Sequence, residues 1–370
     1  MSSELTLIDD SEKLRHSYEK NAKIINDKIE QELKNKVVIS LYGSVNAGKS
    51  TLINALLGKK LSEVSPIPGF TTDIKLFQYG KDVVIADTPG IEDIDEATAA
   101  KAKEFVESDA DLILFFISSD SGLTSPILKS FKSIVELKKE VLGLLTKIDI
   151  KDADEVEVLV KHTTEKLSAL RKGVKLVPVS GKKNINIDIL QKEILSILDE
   201  KGKDILYAKA NKDKWPAIHH YILNACGEIT GMGVLTGVVD LDKVTSIQLE
   251  LVKKIACVHN VSVNEADLIH FLTDLCSRDV SFKVFTEVHK ILAPFINKIP
   301  FIEKGINIAL PSAATYGIGY AANTYYSSGM KQKADEIDKI FREKVMEYGK
   351  KDVEELKMWI KGKVLGIFGN

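Results

Sequence analysis

The run Gly43-Ser44-Val45-Asn46-Ala47-Gly48-Lys49-Ser50 sets a lysine and a hydroxyl at the end of a loop built from small residues. Such a loop can curl until successive N–H groups, here those of Ala47, Gly48, Lys49, Ser50 and Thr51, point inward at a phosphate, and a following helix adds its dipole. Lys49 would then bridge the terminal phosphates of a nucleotide, and the Ser50 hydroxyl would ligate Mg²⁺. Further on stands Asp87-Thr88-Pro89-Gly90, directly after the apolar run Val83-Val84-Ile85-Ala86. Asp87 can hold a magnesium-bound water there, and the Gly90 N–H can sense the terminal phosphate.

Thr146-Lys147-Ile148-Asp149 follows another apolar run and bears on the choice of base. A carboxylate at Asp149 accepts two hydrogen bonds from the N1–H and exocyclic amine of guanine. Adenine offers an acceptor at N1 and no amine, and the unpaired groups left behind discriminate by roughly 10⁴-fold or more. The aliphatic stem of Lys147 would lie along the base. Val179-Ser180-Gly181-Lys182 then supplies backbone amides for the guanine carbonyl, with Lys182 over the base; alone it would pass for an ordinary strand-to-helix loop.

These four segments, 43–50, 87–90, 146–149 and 180–182, resemble the successive motifs of translation-factor-related GTPases, closest to the Era and MnmE branch. The resemblance covers about Val37 to Glu200. It implies a Ras-like P-loop domain, GTP and GDP as ligands, GTP hydrolysis and Mg²⁺ as cofactor. In that family a Pro-Gly-Thr-Thr-Arg-Asp loop gives a switch threonine to magnesium. Pro68-Gly69-Phe70-Thr71-Thr72-Asp73 aligns with it, so Thr71 takes that role, with Thr72 as the alternative; the arginine is missing. The catalytic set implied is Lys49, Thr71 and Gly90, and the metal set is Ser50, Thr71 and, through water, Asp87.

Ile91 stands where Ras-like switches carry a water-orienting glutamine, so intrinsic turnover is expected to be slow, with the missing group supplied from elsewhere. Asn46 matches the phosphate-loop asparagine that, in the MnmE branch, helps hold K⁺ when two G domains meet. A cation there would neutralise charge developing between the β- and γ-phosphates. The alternative is that Asn46 serves only the turn. Glu92, Asp93, Asp95 and Glu96 sit in the second switch, and none is assigned as a base.

The elements that must position these residues are short apolar runs at 37–42, 83–86, 112–117, 141–145 and 174–179, separated by helix-length amphipathic segments. Strand alternating with helix implies a mostly parallel α/β sheet covered on both faces, with ligands at the carboxyl ends of the strands. Apolar residues at three-, four- and seven-residue spacings over 11–36 predict an amphipathic helix before the sheet. After about residue 202 no comparable strand appears. The chain divides on this reading into an N-terminal helix (1–36), a GTPase domain (37–201) and an all-helical effector or interaction domain (202–370).

A chain of 370 residues with 44% hydrophobic and 28% charged residues is long enough for two or three packed cores. Its 51 basic and 53 acidic side chains create no strong field, and no RNA-binding module or basic stripe points to nucleic acid. Cys226, Cys257 and Cys276 lack metal or disulfide spacing and suit buried reduced thiols. The first ten residues lack the basic start and apolar stretch of a secretory signal, so a cytoplasmic protein is expected, peripheral at a membrane if the helical half binds lipid.

Within that half, 305–330 has no charged residue but is rich in Ala, Gly, Ser and Thr, which favours a buried small-residue helix over a membrane span. Glycines 227, 231 and 237 fall in a second segment that suits close helix contact or a turn. The segment 359–368 could dock on the protein or lie on a membrane. This half loosely resembles helical domains behind Era-type and immunity-related or dynamin-like GTPases, which implies self-association through the G domain and a membrane surface or protein effector for the helices.

Overall fold

The computed structural model describes residues 2–44, 46–58, 74–88, 96–236, 240–277 and 302–348. They fall into two compact units, Glu32–Ala217 and a second made of Met1–Gln31 with Ile218–Asn370.

The first unit is a six-stranded sheet in the order β2-β3-β1-β4-β5-β6, from β1 (Val37–Gly43), β2 (Lys75–Tyr79), β3 (Val83–Asp87), β4 (Leu112–Ser118), β5 (Glu140–Thr146) and β6 (Lys175–Pro178). All neighbours are parallel except β2 and β3. Every residue of β1 and β4 is buried, because a parallel sheet covered by helices on both faces exposes neither side of a strand. Those helices are α2 (Lys49–Leu57), α3 (Glu96–Asp109), α4 (Ser125–Val135), α5 (Ala153–Leu170) and α6 (Ile187–Asp199). Phe105, Phe115, Phe131 and Leu167 join one core cluster with Val38, Val84 and Leu145.

Helix starts follow local chemistry. The Thr124 side chain caps α4 with a proline in its first turn. Asp152 and Glu155 form a reciprocal capping box on α5.

The antiparallel edge strand β2 carries no continuous apolar run, which is why the sequence pattern did not single it out. Helix α7 (Asp204–Ala210) also belongs to this unit, beyond the 201 boundary expected from sequence. Asn211, the residue after it, accepts from the Tyr79 hydroxyl at 2.9 Å, and Lys203 pairs with Asp111 at 2.7 Å. A Cβ on Gly80 would meet that of Ala210 at 2.9 Å.

The second unit comprises α1 (Ser2–Glu32), α8 (Trp215–Thr236, from Ile218), α9 (Leu241–Val258), α10 (Glu265–Ser277), α11 (Ile302–Ser327) and α12 (334–348). Helix α1 begins earlier than the 11–36 pattern suggested and packs with this unit, so it is no independent element. Its Ser17, Tyr18 and Asn21 bond Asp242, Gln248 and Thr245 of α9, and Gln248 donates to Thr315 of α11 at 2.9 Å. Lys253, 2% exposed, is satisfied by Glu30 at 2.9 Å and the Val263 carbonyl at 2.7 Å.

Residues 305–327 of the uncharged segment lie in α11, where Ala313, Ala314, Thr315, Ile318, Ala321 and Ala322 are buried. No helix among the described residues is long and apolar enough to cross a membrane. Small residues here answer a packing demand: a Cβ on Gly317 would stand 2.5 Å from Val345 Cγ2, and one on Gly319 2.4 Å from Ile222 Cγ1. Gly227 and Gly231 lie inside α8, not in a turn, and a Cβ on either meets no atom within 4 Å. The close-contact reading of that glycine repeat is therefore not supported at these two positions. Cys226 and Cys257 are buried free thiols. The Cys276 side chain, Gly237 and the segment 359–368 lie outside the described residues.

Candidate functional site

Strands β1, β3 and β5 run parallel and end at Gly43, Asp87 and Thr146, so the loops that follow them open on one edge of the sheet. Gly48 occupies a left-handed conformation, φ 86°, at the start of α2, a geometry that favours a residue without Cβ. Asn46 also has positive φ, 62°, which asparagine tolerates, so the turn alone gives this residue a reason. Lys49 is folded back into the loop, donating to the Gly43 and Ser44 carbonyls at 3.0 and 3.2 Å, and its ammonium is 4.0 Å from Asp87.

Burial pushes the Asp87 carboxyl above the usual carboxylate range, and the ammoniums of Lys49 and Lys75 draw it partly back. A half-buried carboxylate left under-neutralised in this way is a fitting partner for a divalent cation, and Ser50, the second residue of α2, presents an exposed hydroxyl. Thr88, fully buried, ties the end of β3 to β1 by donating to the Leu41 carbonyl at 2.7 Å. Ala47 is buried and Thr51 exposed on α2. Val45, Thr71, Thr72, Gly90, Ile91, Glu92, Asp93 and Asp95 lie outside the described residues; Glu96 begins α3.

On the base side, the Thr146 hydroxyl donates to the Ala47 carbonyl at 2.7 Å, with the Ile117 carbonyl at 3.2 Å. Thr146 thus braces the phosphate loop against β5. Asp149 Oδ1 accepts from the Ser180 hydroxyl at 2.6 Å, and that oxygen in turn accepts from the Lys183 N–H at 3.1 Å. The carboxylate is held in one orientation before any ligand arrives, with its other oxygen left for donors. The Ser180 N–H is engaged by the Ile185 carbonyl at 3.1 Å, so it is not available to a ligand. Gly181 is forced by proximity: a Cβ would lie 2.6 Å from Leu52 Cα on α2. Lys182 is exposed.

Two residues escaped the sequence reading. Asp120 accepts from the Lys147 ammonium at 2.8 Å, and that hydrogen bond holds the Asp120 carboxyl down at about 2. Ser119 donates to the Lys147 carbonyl at 2.9 Å. Between them they fix a lysine whose own backbone is left-handed, φ 58°. The available signal was the polar run Ser118-Ser119-Asp120 at the carboxyl end of a buried strand.

The edge therefore offers an ammonium inside a curled loop, a carboxylate beside it, and a second, oriented carboxylate flanked by a lysine stem. That set suits a magnesium-bound phosphate chain at one end and a purine with two adjacent donors at the other.

Residues 38–161 match the family described as 50S ribosome-binding GTPase. GTPase Era of Aquifex aeolicus is 33% identical over 174 residues, 44% of this chain and 56% of that protein. GTPase Der of Kosmotoga olearia is 30% identical over 44% of this chain and 37% of its own length. The tRNA modification GTPase MnmE of Borreliella burgdorferi is 31% identical over 51% and 42%. The chain thus spans about half or less of the curated relatives it matches. A crystal structure of Aquifex aeolicus Era bound to GDP and aluminium fluoride aligns with 44% of this chain and 57% of its own, at 31% identity and a TM-score of 0.35. Another, of Era with MgGDPNP and a 16S ribosomal RNA segment, aligns at 32% identity over 44% and 57%, with a TM-score of 0.36. The RNA in that complex is a ligand of that Era protein. The family match stops at residue 161, and the likeness to helical domains of other GTPases is not confirmed by these comparisons. Residues 38–161 thus match a GTPase domain of the kind that Era, Der and MnmE carry, at about 30% identity to those proteins.

Proposed function

We propose that the protein binds GTP and hydrolyses it to GDP and phosphate, and that it works as a regulated conformational switch activated by self-association or by a partner. The observation that carries this reading is the convergence of Lys49, Asp87 and the Ser180-oriented Asp149 at one edge of the sheet. On binding, Lys49 exchanges two backbone carbonyls for the β- and γ-phosphates, a stronger charge-assisted pairing. Mg²⁺, held by Ser50, by Thr71 and through water by Asp87, would neutralise charge on the phosphates. Asp149 reads guanine, the stem of Lys147 supports the base, and Gly181 and Lys182 meet its carbonyl oxygen. Gly90 and Thr71 sense the terminal phosphate, and its loss releases the segments that contain them.

Ile91 cannot orient water, so the accelerating group comes from elsewhere. K⁺ at Asn46 between two G domains is one such source. The helical unit carries the output to an effector, a protein or a membrane surface; a membrane-spanning role for 305–330 is not favoured, given the burial of Ala313, Ala314, Ile318, Ala321 and Ala322 in α11.

The test is GTP turnover against protein concentration in potassium and in sodium buffer, with Asp149→Asn as specificity control. Potassium-dependent activity per molecule that climbs with concentration, lost in the control together with guanine preference, is expected. Flat, slow turnover in both salts sinks activation by self-association. No turnover and no GTP binding sinks the whole reading. An RNA partner is tested in parallel by whether a 16S ribosomal RNA segment stimulates turnover.

A further inference from the structure

Lys75 opens the edge strand β2 directly opposite Asp87 in the antiparallel β2–β3 register. Residues facing each other in such a pair project from the same side of the sheet, with Cβ atoms about 4.5–5.5 Å apart. The lysine therefore stands on the side that carries the Asp87 carboxylate. Its neighbours Ile74 and Leu76 are buried in the core cluster, while Lys75 between them is exposed. At the facing end of β3, buried Thr88 is tied to the Leu41 carbonyl at 2.7 Å, so Asp87 sits on an anchored strand end.

Two ammoniums act on that carboxylate. Lys49, 4.0 Å away, also donates to the Gly43 and Ser44 carbonyls, and under the proposed function it turns to the phosphates of a bound nucleotide. Lys75 is the other: burial raises the Asp87 carboxyl, and Lys75, after Lys49, draws it back. Because Lys75 is rooted in β2 and not in the 43–50 loop, its charge stays beside Asp87 whatever that loop holds.

A fixed positive charge beside a carboxylate repels a second cation that approaches it, and exposure to water moderates this repulsion without abolishing it. We propose that Lys75 is a positioning residue of the magnesium side, a built-in counter-ion of Asp87 that competes with Mg²⁺ and sets the free Mg²⁺ concentration at which nucleotide is retained. The inference rests on the nucleotide reading above and deepens it by naming available Mg²⁺ as a regulator of that site.

The experiment follows release of a fluorescent GDP analogue from the full chain against free Mg²⁺ at fixed ionic strength, so that no hydrolysis enters the readout. With Lys75→Gln the Mg²⁺ midpoint for retention should fall about five- to tenfold, and with Lys75→Glu further, whereas Lys75→Arg should stay within about twofold of the unaltered chain. Lys75→Thr, a good strand former, repeats the neutral arm should glutamine disturb the edge strand. A role confined to holding β2 together would change release at saturating Mg²⁺ as well and would not follow the sign of the charge. A midpoint that is unchanged or higher in the neutral variants, or that shifts alike in Lys75→Arg and Lys75→Gln, overturns the proposal and leaves nucleotide binding standing. An unaltered chain that binds no fluorescent GDP overturns the functional reading and this inference with it.

Discussion

Ser180 orients Asp149, the residue proposed to read the base. Its hydroxyl donates to Asp149 at 2.6 Å and accepts from the Lys183 amide, which removes a rotamer freedom that binding would otherwise have to suppress. Ser180→Ala should therefore weaken GTP binding by about 1 kcal/mol, roughly fivefold, while leaving the preference for guanine over adenine intact; fluorescent-nucleotide titration measures both. Asp120→Asn should act on Lys147 in the same indirect way. The Asp120 carboxyl is held at about 2 by the Lys147 hydrogen bond, so its folded-state pKa is depressed. The stabilisation this gives is present above the ordinary carboxylate range and is lost only as pH falls towards about 2. Nucleotide affinity from about pH 5 to about pH 8 should thus be insensitive to this pair. Asp149 and Lys49 stand out in the sequence because their loops are local. Ser119 and Asp120 do not, because they reach Lys147 only through the β4–β5 register that sets Ser118 beside Thr146.

At the scale of elements, continuous apolar runs identified every strand buried on both faces and missed β2, which lies at the sheet edge and is only partly buried. Helix α7 was assigned to the wrong neighbours for a related reason. Its apolar face, with Ile205, Leu206 and Tyr207 buried, reads the same whether a sheet or another helix covers it. Helix α11 is the opposite case: its composition of small residues weighed against a membrane, and Gly317 and Gly319 show what that composition serves. Gly317→Leu should destabilise the helical unit by about 1–3 kcal/mol, since Val345, Phe341 and the Phe341 carbonyl already occupy the space a side chain would need. Urea unfolding followed by circular dichroism would show the loss as a lower midpoint with the slope kept.

At the scale of the whole molecule, the first thirty-one residues join helices more than two hundred positions away in sequence. Tyr18, fully buried, bonds Gln248, and Ser17 and Asn21 close a polar network with Asp242 and Thr245. Tyr18→Ala should cost the helical unit about 3 kcal/mol through the cavity and the orphaned Gln248. Hydrogen exchange should then speed up across 241–258 and 302–327 and stay unchanged across 112–146. A uniform rise in both units would show that the two do not unfold separately.

The sequence by itself determined the glycine-rich loop at 43–50, the positions of Asp87 and Asp149 for which the nucleotide roles are proposed, and the alternation of strand and helix. Each depends on residues close in the chain, where loop curvature, strand burial and helix starts follow from local types and spacing. Tertiary structure alone decided that Thr146 braces the phosphate loop, that Ser180 and Asp120 orient their neighbours, that α1 belongs with the helical unit, and that Lys75 faces Asp87 across β2 and β3. Those arrangements arise from side chains brought together across strands and helices, and no periodicity in the chain encodes which distant partner a buried face will meet.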